Sequence, residues 1–193
     1  MRLFVAIPLP LTLATNAFGV LPEIPALRRV RPDLMHVTLA FLGAVPDERL
    51  PEVTHAVTTA TAGRPAFPVS LDAVGRFPSG GAPTVAWLGV GEGAAEMTAL
   101  AESVRRSLAA GSLPFDAKPF HAHVTLARVR EHAGRDEMRA IAAAIERARL
   151  PPMRFTADAV SVIESVVSSK GPRYTARAAV PLGVRGKREP AGA

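Results

Sequence analysis

The pentapeptide His-Val-Thr-Leu-Ala occurs twice in this chain, at residues 36–40 and again at 123–127. In each copy, polar residues alternate with apolar ones, which is the period of a β-strand that is buried on one face. His36 and Thr38 therefore share a face, about 6.6 Å apart along the strand at roughly 3.3 Å per residue. Val37 and Leu39, at the alternate positions, must point the other way, into a core. Each copy thus presents one imidazole and one hydroxyl, and an internal duplication would direct both sets to a shared cleft.

Two imidazoles that face one cleft suit acid–base chemistry near neutral pH. An unperturbed His titrates at about 6.5, so one ring can accept a proton while the other donates one. The hydroxyls of Thr38 and Thr125 can donate hydrogen bonds to a bound anion such as a phosphate. We therefore take His36 and His123 as candidate catalytic residues and the two Thr residues as candidate phosphate-binding residues. The alternative is that the His residues are structural and that the Thr residues are simply β-branched strand formers.

Composition and charge limit the kinds of protein that the chain can be. Its 193 residues include no Cys, which excludes a disulfide framework and allows one globular domain with its own core. The net charge is +6 and 20 of the 23 basic residues are Arg, whose planar fork matches phosphate oxygens. A genome rich in G and C would produce the same bias. The apolar run 3–7 ends at Pro8 and is too short for a signal peptide or a membrane span, so we expect a cytoplasmic protein.

Hydrophobic periodicity predicts an alternation of strands and helices, with a Pro- and Arg-bearing connection at 21–33. The predicted strands are 2–7, 35–42, 67–73, 85–90, 121–129, 155–166 and 173–180. The predicted helices are 9–20, 46–63, 93–109 and 135–149.

Each half of the chain shows the order His strand, helix, hairpin, and the two His residues are 87 positions apart. This order predicts an ancient duplication with pseudo-repeats at about 30–92 and 115–182, within a single domain over 1–184. The segment 185–193 has no apolar period, so we expect a disordered tail there.

In its motifs and length, the chain resembles the 2H phosphoesterase superfamily, and in detail its RNA 2′,3′-cyclic phosphodiesterase branch, also called 2′-5′ RNA ligase. The two His-x-Thr-x motifs carry the resemblance, which extends over nearly the whole chain. The further matching segments are 2–7, 30–32, 41–43, 77–78, 119–120 and 171–174. Ala122 departs from the pattern, because the family often has Pro before the second His.

The resemblance implies an α+β fold with two lobes related by a pseudo-twofold axis, in which two antiparallel sheets face a central cleft and helices lie outside. It also implies metal-independent hydrolysis, without a cofactor, of RNA 2′,3′-cyclic phosphate ends to 2′-phosphates, with reverse 2′-5′ ligation as a related activity. By similarity, His123 is the base and His36 the acid. The motifs themselves are near-identical, and reversal of the reaction exchanges the two roles.

Phe41 and Arg128 each follow a His of the repeat by five positions. Similar enzymes use this aromatic ring and this Arg to hold the nucleobase between them, as bases stack on rings and on guanidinium planes. Strict alternation would put an odd offset on the face opposite to His, so both strands must end, twist or bulge before these residues. The alternative places Phe41 in the core and Arg128 on the surface.

Two other functions fit parts of the sequence. His121 and His123 share a strand face, so with His36 they could bind zinc in a metal-assisted hydrolase. The positive charge also fits a non-catalytic module that binds RNA ends. The expected partners are RNAs with 2′,3′-cyclic phosphate ends, such as tRNA halves, or small cyclic phosphonucleotides, bound by a monomer. We assign His55 and His132 to the surface, and Tyr174 to strand packing.

Overall fold

A computed structural model describes residues 1–169 and 171–183 of the chain. Nine strands and four α-helices alternate within these residues. The strands are β1 (Arg2–Pro8), β2 (Leu27–Arg29), β3 (His36–Ala44), β4 (Phe67–Phe77), β5 (Val85–Val90), β6 (His123–Val129), β7 (Arg154–Ala157), β8 (Ala159–Ser168) and β9 (Gly171–Pro181). The helices are α1 (Leu11–Phe18), α2 (Leu50–Thr61), α3 (Ala94–Ala110) and α4 (Arg135–Arg147). The tail predicted at 185–193 lies outside the described residues.

The strands form two antiparallel sub-sheets that meet at the two His strands. The strand order is β7-β4-β5-β6-β3-β1-β8-β9, with β2 added to β6. Only the pair Val37 and Val124 joins β3 to β6 within the described ladder, so the two sub-sheets share a single point of pairing. The predicted α+β class with antiparallel sheets is confirmed.

The hairpins cross over between the two halves of the chain. The β4–β5 hairpin follows β3 in sequence but pairs with β6, and the β8–β9 hairpin follows β6 but pairs with β1. Each sub-sheet therefore combines one His strand with the hairpin that follows the other His strand. The domain bounds and the duplication remain predictions.

Two details differ from the sequence expectations. The strand predicted at 155–166 is two strands separated by Asp158, because β7 pairs with β4 in one sub-sheet while β8 pairs with β1 in the other. In the predicted connection at 21–33, residues Leu27–Arg29 form a short strand on β6. A strand of three residues is too short to show a period in the sequence.

β1 is central in its sub-sheet and separates the core from the site. Its apolar residues are all buried, as expected of a strand covered on both faces. Leu3 and Val5 join the main core, to which α2 and α3 also contribute. Phe4 and Ala6 point the other way and form a second cluster with Ile163. None of the helices in the described part of the chain is long and apolar enough to cross a membrane.

On the same face of the other sub-sheet, glycines make room for Trp87. Gly75 lies directly across from Trp87 on the neighbouring strand, and a Cβ built on Gly75 would lie 2.2 Å from the indole ring. A Cβ on Gly89 would lie 3.1 Å from the same ring. The indole therefore covers the backbone of the sheet at these two positions.

We expect Gly75→Ala to displace this indole and to destabilise the protein by about 1–3 kcal/mol, the usual cost of overpacking. Trp87 is the single Trp of the chain, so its fluorescence emission reports the displacement directly. Gly80→Ala is the matched control, because a Cβ at Gly80 meets nothing within 4 Å. Equal emission spectra and equal unfolding midpoints in urea for the two variants would contradict this packing.

Candidate active site

The two repeated motifs lie on adjacent antiparallel strands. Val37 pairs with Val124 across β3 and β6, and both are buried. If this register is continued by one residue on each side, His36 faces Thr125 and Thr38 faces His123. In agreement with this, Thr38 and His123 line one cleft of about 140 Å³. Each imidazole is therefore placed near the hydroxyl of the other motif.

A bulge in β3 brings Phe41 to the cleft face. The pairing with β1 passes from Thr38 directly to Ala40 and skips Leu39. Leu39 and Ala40 are both buried, at 0% and 1% exposure, where strict alternation would bury only one of them. Because the extra residue reverses the alternation, Phe41 lies on the same face as His36.

β6 has the equivalent bulge at the equivalent place. The pairing with β5 passes from Thr125 to Ala127 and skips Leu126. Leu126 and Ala127 are again both buried, so Arg128 lies on the face of His123 and is exposed. The odd offset of five residues in the sequence required such an irregularity in each strand, and both are confirmed.

Each imidazole is oriented by a backbone carbonyl two residues earlier in the chain. Nδ1 of His36 lies 2.7 Å from the carbonyl oxygen of Leu34, and Nδ1 of His123 lies 2.7 Å from that of His121. A carbonyl oxygen only accepts hydrogen bonds, so Nδ1 carries the proton in both rings. Within the described residues, neither Nε2 has a hydrogen-bond partner. This leaves Nε2 of both rings available to exchange a proton.

Aromatic rings surround both imidazoles. His36 packs against Phe4 and Tyr174, with ring centroids at 4.8 and 5.6 Å. His123 packs edge-on against Phe77 at 5.2 Å and lies 6.2 Å from Trp87. Both His residues are half-buried as a result.

This burial lowers the pKa of both His36 and His123, because a charged ring loses its hydration there. The hydrogen bonds to the carbonyl oxygens raise both pKa values in part. The charge of Arg128 lowers both, which places this guanidinium near both rings. The lowered pKa values favour the neutral form of both imidazoles in the free protein, in which Nε2 can accept a proton.

Phe41 and Arg128 line different clefts. Phe41 is half-buried, lies in the cleft of Thr38 and His123, and is covered by the guanidinium of Arg2 at 5.0 Å. Arg128 lines a larger neighbouring cleft of about 590 Å³. The structure thus gathers all six predicted site residues on one face of the sheet, with Phe41 and Arg128 on opposite sides of the His pair.

Comparison with known proteins identifies the family of this chain. A family model described as the 2′-5′ RNA ligase superfamily matches residues 23–168. The chain belongs to the 2′-5′ RNA ligase superfamily. The predicted family is confirmed, and membership makes this protein an enzyme of the phosphoesterase type.

Curated relatives carry a common name. A protein named RNA 2′,3′-cyclic phosphodiesterase from Archaeoglobus fulgidus is 37% identical over 133 residues, which cover 67% of this chain and 73% of that protein. One with the same name from Thermus thermophilus is 30% identical over 191 residues, 91% of this chain and 87% of the relative.

Solved structures share the fold along almost the whole chain. A crystal structure of a Thermus thermophilus protein has a TM-score of 0.76 at 27% identity and covers 96% of this chain and 100% of its own. The crystal structure of Escherichia coli LigT complexed with 3′-AMP has a TM-score of 0.73 at 25% identity, with 94% and 97% covered.

Some residues that lie near the two His rings were not predicted from the sequence. Tyr174 was assigned to strand packing, yet its ring also contacts His36. Its phenol has a raised pKa because of burial, which Arg128 and Arg2 partly offset. Arg28, which lies opposite Arg128 on the short strand β2, was missed because that strand was not predicted. A sequence signal existed for Tyr174, which lies in one of the segments that match the family.

The zinc alternative gains no support from the arrangement of possible ligands. Within residues 1–169 and 171–183, no group of three or more His, Cys, Asp or Glu side chains could hold a metal ion. The rings of His121 and His123 are 5.5 Å apart, and Nδ1 of His123 is bonded to the backbone.

We expect the neutral forms of His36 and His123 to carry their proton on Nδ1, the minor tautomer of free His, with pKa values below about 6.5. Long-range ¹H–¹⁵N NMR spectra recorded across pH 4–9 distinguish the two nitrogens and give both pKa values. The tautomers and pKa values of the same two His residues in the denatured protein supply the reference. Protons on Nε2 in the neutral rings would contradict the carbonyl-anchored geometry.

Proposed function

We propose that this enzyme hydrolyses RNA 2′,3′-cyclic phosphate ends to 2′-phosphates, with His36 and His123 as its acid–base pair. One observation carries the proposal. Two imidazoles on adjacent strands are anchored identically through Nδ1, and both leave Nε2 free towards the same face. Binding alone would not require two equivalent proton-transfer groups. The relatives named RNA 2′,3′-cyclic phosphodiesterase support the same reaction.

In the proposed step, a water oxygen attacks phosphorus in line with the ribose O3′. One His takes the proton of the attacking water, the P–O3′ bond breaks, and the other His protonates O3′. The products are a 2′-phosphate and a free 3′-hydroxyl. Following the family resemblance, we assign His123 as the base and His36 as the acid. With a 5′-hydroxyl in place of water as the nucleophile, the same exchange of protons would break the P–O3′ bond and form a 2′-5′ phosphodiester, which is 2′-5′ ligation.

The lowered pKa values fit a singly charged substrate. They favour the neutral form of both imidazoles in the free enzyme, so the pair can adopt one proton when the anionic phosphodiester binds between them. The negative charge of the phosphate favours the imidazolium that must act as the acid. The substrate thus helps to set the protonation state that the reaction needs.

Thr38 and Thr125 are proposed to hold the non-bridging phosphate oxygens. Each hydroxyl lies on the strand face of its own His and near the His of the other motif. Hydroxyl donors fixed by a sheet stabilise the charge that builds up on these oxygens in the transition state. Phe41 and Arg128 are proposed to bind the nucleobase from the two sides of the His pair.

We propose that the reaction proceeds without a metal or other cofactor. Proton transfer by the two His residues and hydrogen bonds from the two Thr residues supply the required charge stabilisation. Activity that survives a strong chelator is the expected result, whereas activity lost with chelator and restored by zinc would favour the metal-assisted alternative. The natural RNA, tRNA halves among the candidates, and a monomeric state in the cytoplasm belong to the same proposal.

We expect His36→Ala and His123→Ala each to lower kcat by about 10²–10⁴, the usual contribution of a general acid or base. Thr38→Val and Thr125→Val should each cost about tenfold, as expected for one charge-assisted hydrogen bond. The measurement is single-turnover hydrolysis of an RNA with a cyclic phosphate end. His55→Ala is the control, since His55 is exposed on α2. Near-normal rates in both His variants would contradict the acid–base pair, whereas binding without turnover by the wild type would leave the RNA-end-binding alternative.

The rate should follow a bell-shaped pH profile, because one His must be neutral and the other protonated. Burial lowers both pKa values, so the maximum of kcat/KM, which reports the free enzyme, should lie below about pH 6.5. The kcat profile should peak at a higher pH, since the bound anion stabilises the imidazolium. A profile of kcat/KM that is flat between about pH 5 and 8 would contradict paired imidazoles.

A further inference from the structure

Three arginines line the 590 Å³ cleft beside the His pair. Arg28 on β2 lies directly opposite Arg128 on β6, so the two side chains point to the same face of the sheet. Arg130 follows two residues later and lines the same cleft. All three are exposed. We name this surface, made by Arg28, Arg128 and Arg130, the arginine cleft.

The three guanidinium groups have no ion-pair or hydrogen-bond partner among the described residues. Some arginines elsewhere in the described part of the chain are paired with nearby carboxylates, as Arg31 is with Asp33 and Arg154 with Glu92. Like charges directly opposite each other across two strands destabilise a sheet. An arrangement that costs stability in the free protein is explained if an anion binds there.

The carboxylates of the cleft do not neutralise it. Glu131 and Glu137 also line it, together with His132. Glu137, however, accepts a hydrogen bond of 2.9 Å from the backbone N–H of Gly134 at the start of α4. Three arginines therefore face two carboxylates, one of which is engaged by the backbone, and the cleft has a net positive charge.

The arginine cleft begins at the proposed active site and leads away from it. Arg128 lies on the face of His123 because of the bulge in β6, and its charge acts on both catalytic His residues. At roughly 3.3 Å per residue, the end of β6 at Val129 is about 20 Å beyond His123, and Arg130 follows it directly. The positive surface is thus an elongated continuation of the site.

We propose that the arginine cleft, through Arg28 and Arg130, binds the backbone phosphates of the RNA strand that precedes the cyclic end, next to the nucleobase that Arg128 is proposed to contact. A 2′,3′-cyclic phosphate occurs only at a 3′ end, so the rest of the strand must leave the site on the 5′ side. Unpaired guanidinium groups along a groove are suited to phosphates spaced along such a strand. The proposal rests on the proposed function and narrows it: the substrate class is oligonucleotide ends, and mononucleoside cyclic phosphates are poorer substrates.

The test compares two substrates of the purified full chain. One is a mononucleoside 2′,3′-cyclic phosphate, and the other is a ten-nucleotide single-stranded RNA with the same nucleoside at its cyclic end. The measured quantity is the ratio of kcat/KM for the oligonucleotide to that for the mononucleotide. We expect Arg28→Gln and Arg130→Gln each to lower this ratio about fivefold, as for one lost phosphate contact.

Salt provides a second readout. For the oligonucleotide, the slope of log(kcat/KM) against log[salt] should become shallower by about 0.7 for each phosphate contact removed. Arg106→Gln is the matched control, because Arg106 is exposed on α3, is absent from the lining of the cleft, and loses the same charge. The ratio and the salt slope of this variant should equal those of the wild type.

The outcomes separate this proposal from the proposed function. A wild type that hydrolyses both substrates with similar kcat/KM, or ratios that fall equally in all three variants, would overturn the role of the arginine cleft and leave the phosphodiesterase reaction standing. The same conclusion would follow if Arg28→Gln and Arg130→Gln left both the kcat/KM ratio and the salt slope at their wild-type values. A wild type that hydrolyses neither substrate would overturn the proposed function and this inference with it.

Discussion

The pairing of Val37 with Val124 is the contact on which the site depends. It is the one point where β3 and β6 pair in the described ladder, and both side chains are buried, at 1% and 0% exposure. Their burial on the core face directs the neighbouring His and Thr residues to the opposite face. In the described ladder this single pair joins the two sub-sheets and fixes the register of the two motifs.

The two bulges bring further side chains to the face on which the two His residues lie. Each adds one residue after the Thr of its motif, which keeps Leu and Ala buried in succession and returns the next side chain to the cleft. The neighbouring strands supply aromatic rings, Phe4 and Tyr174 around one His and Phe77 and Trp87 around the other. These rings remove the imidazoles from water, and the carbonyl anchors fix their orientation. The lowered pKa values follow mainly from this burial, and the common tautomer follows from the hydrogen bonds to the carbonyl oxygens.

Much of this arrangement could be predicted from the sequence. The repeated motif has the strand period, so the shared face of His36 and Thr38 follows from alternation. The bulges follow from the odd offset of Phe41 and Arg128. The crossover of the hairpins could not be predicted, since strand pairing between distant segments leaves no local pattern. β2 was missed for a related reason: three residues, Leu27–Arg29, show no period, and their place is set by β6.

Because β2 was not predicted, the arginine cleft was not predicted either. Arg28 looks like one of many arginines in a basic sequence, and only the register opposite Arg128 gives it a place beside the His pair. Charge counts could indicate an anionic partner but could not locate it. The structure orders the positive charge along one side of the site, where we propose that the RNA strand leaves.

The most direct test of the central claim, that two equivalent imidazoles open one P–O bond of a cyclic phosphate, is to identify the product end. A short RNA with a 2′,3′-cyclic phosphate is incubated with the enzyme in chelator and without nucleotide triphosphate, and the product is followed by ³¹P NMR. The account predicts a single 2′-phosphate resonance, because the acid protonates O3′ alone. A 3′-phosphate, a mixture of both, or an unchanged cyclic phosphate would contradict it.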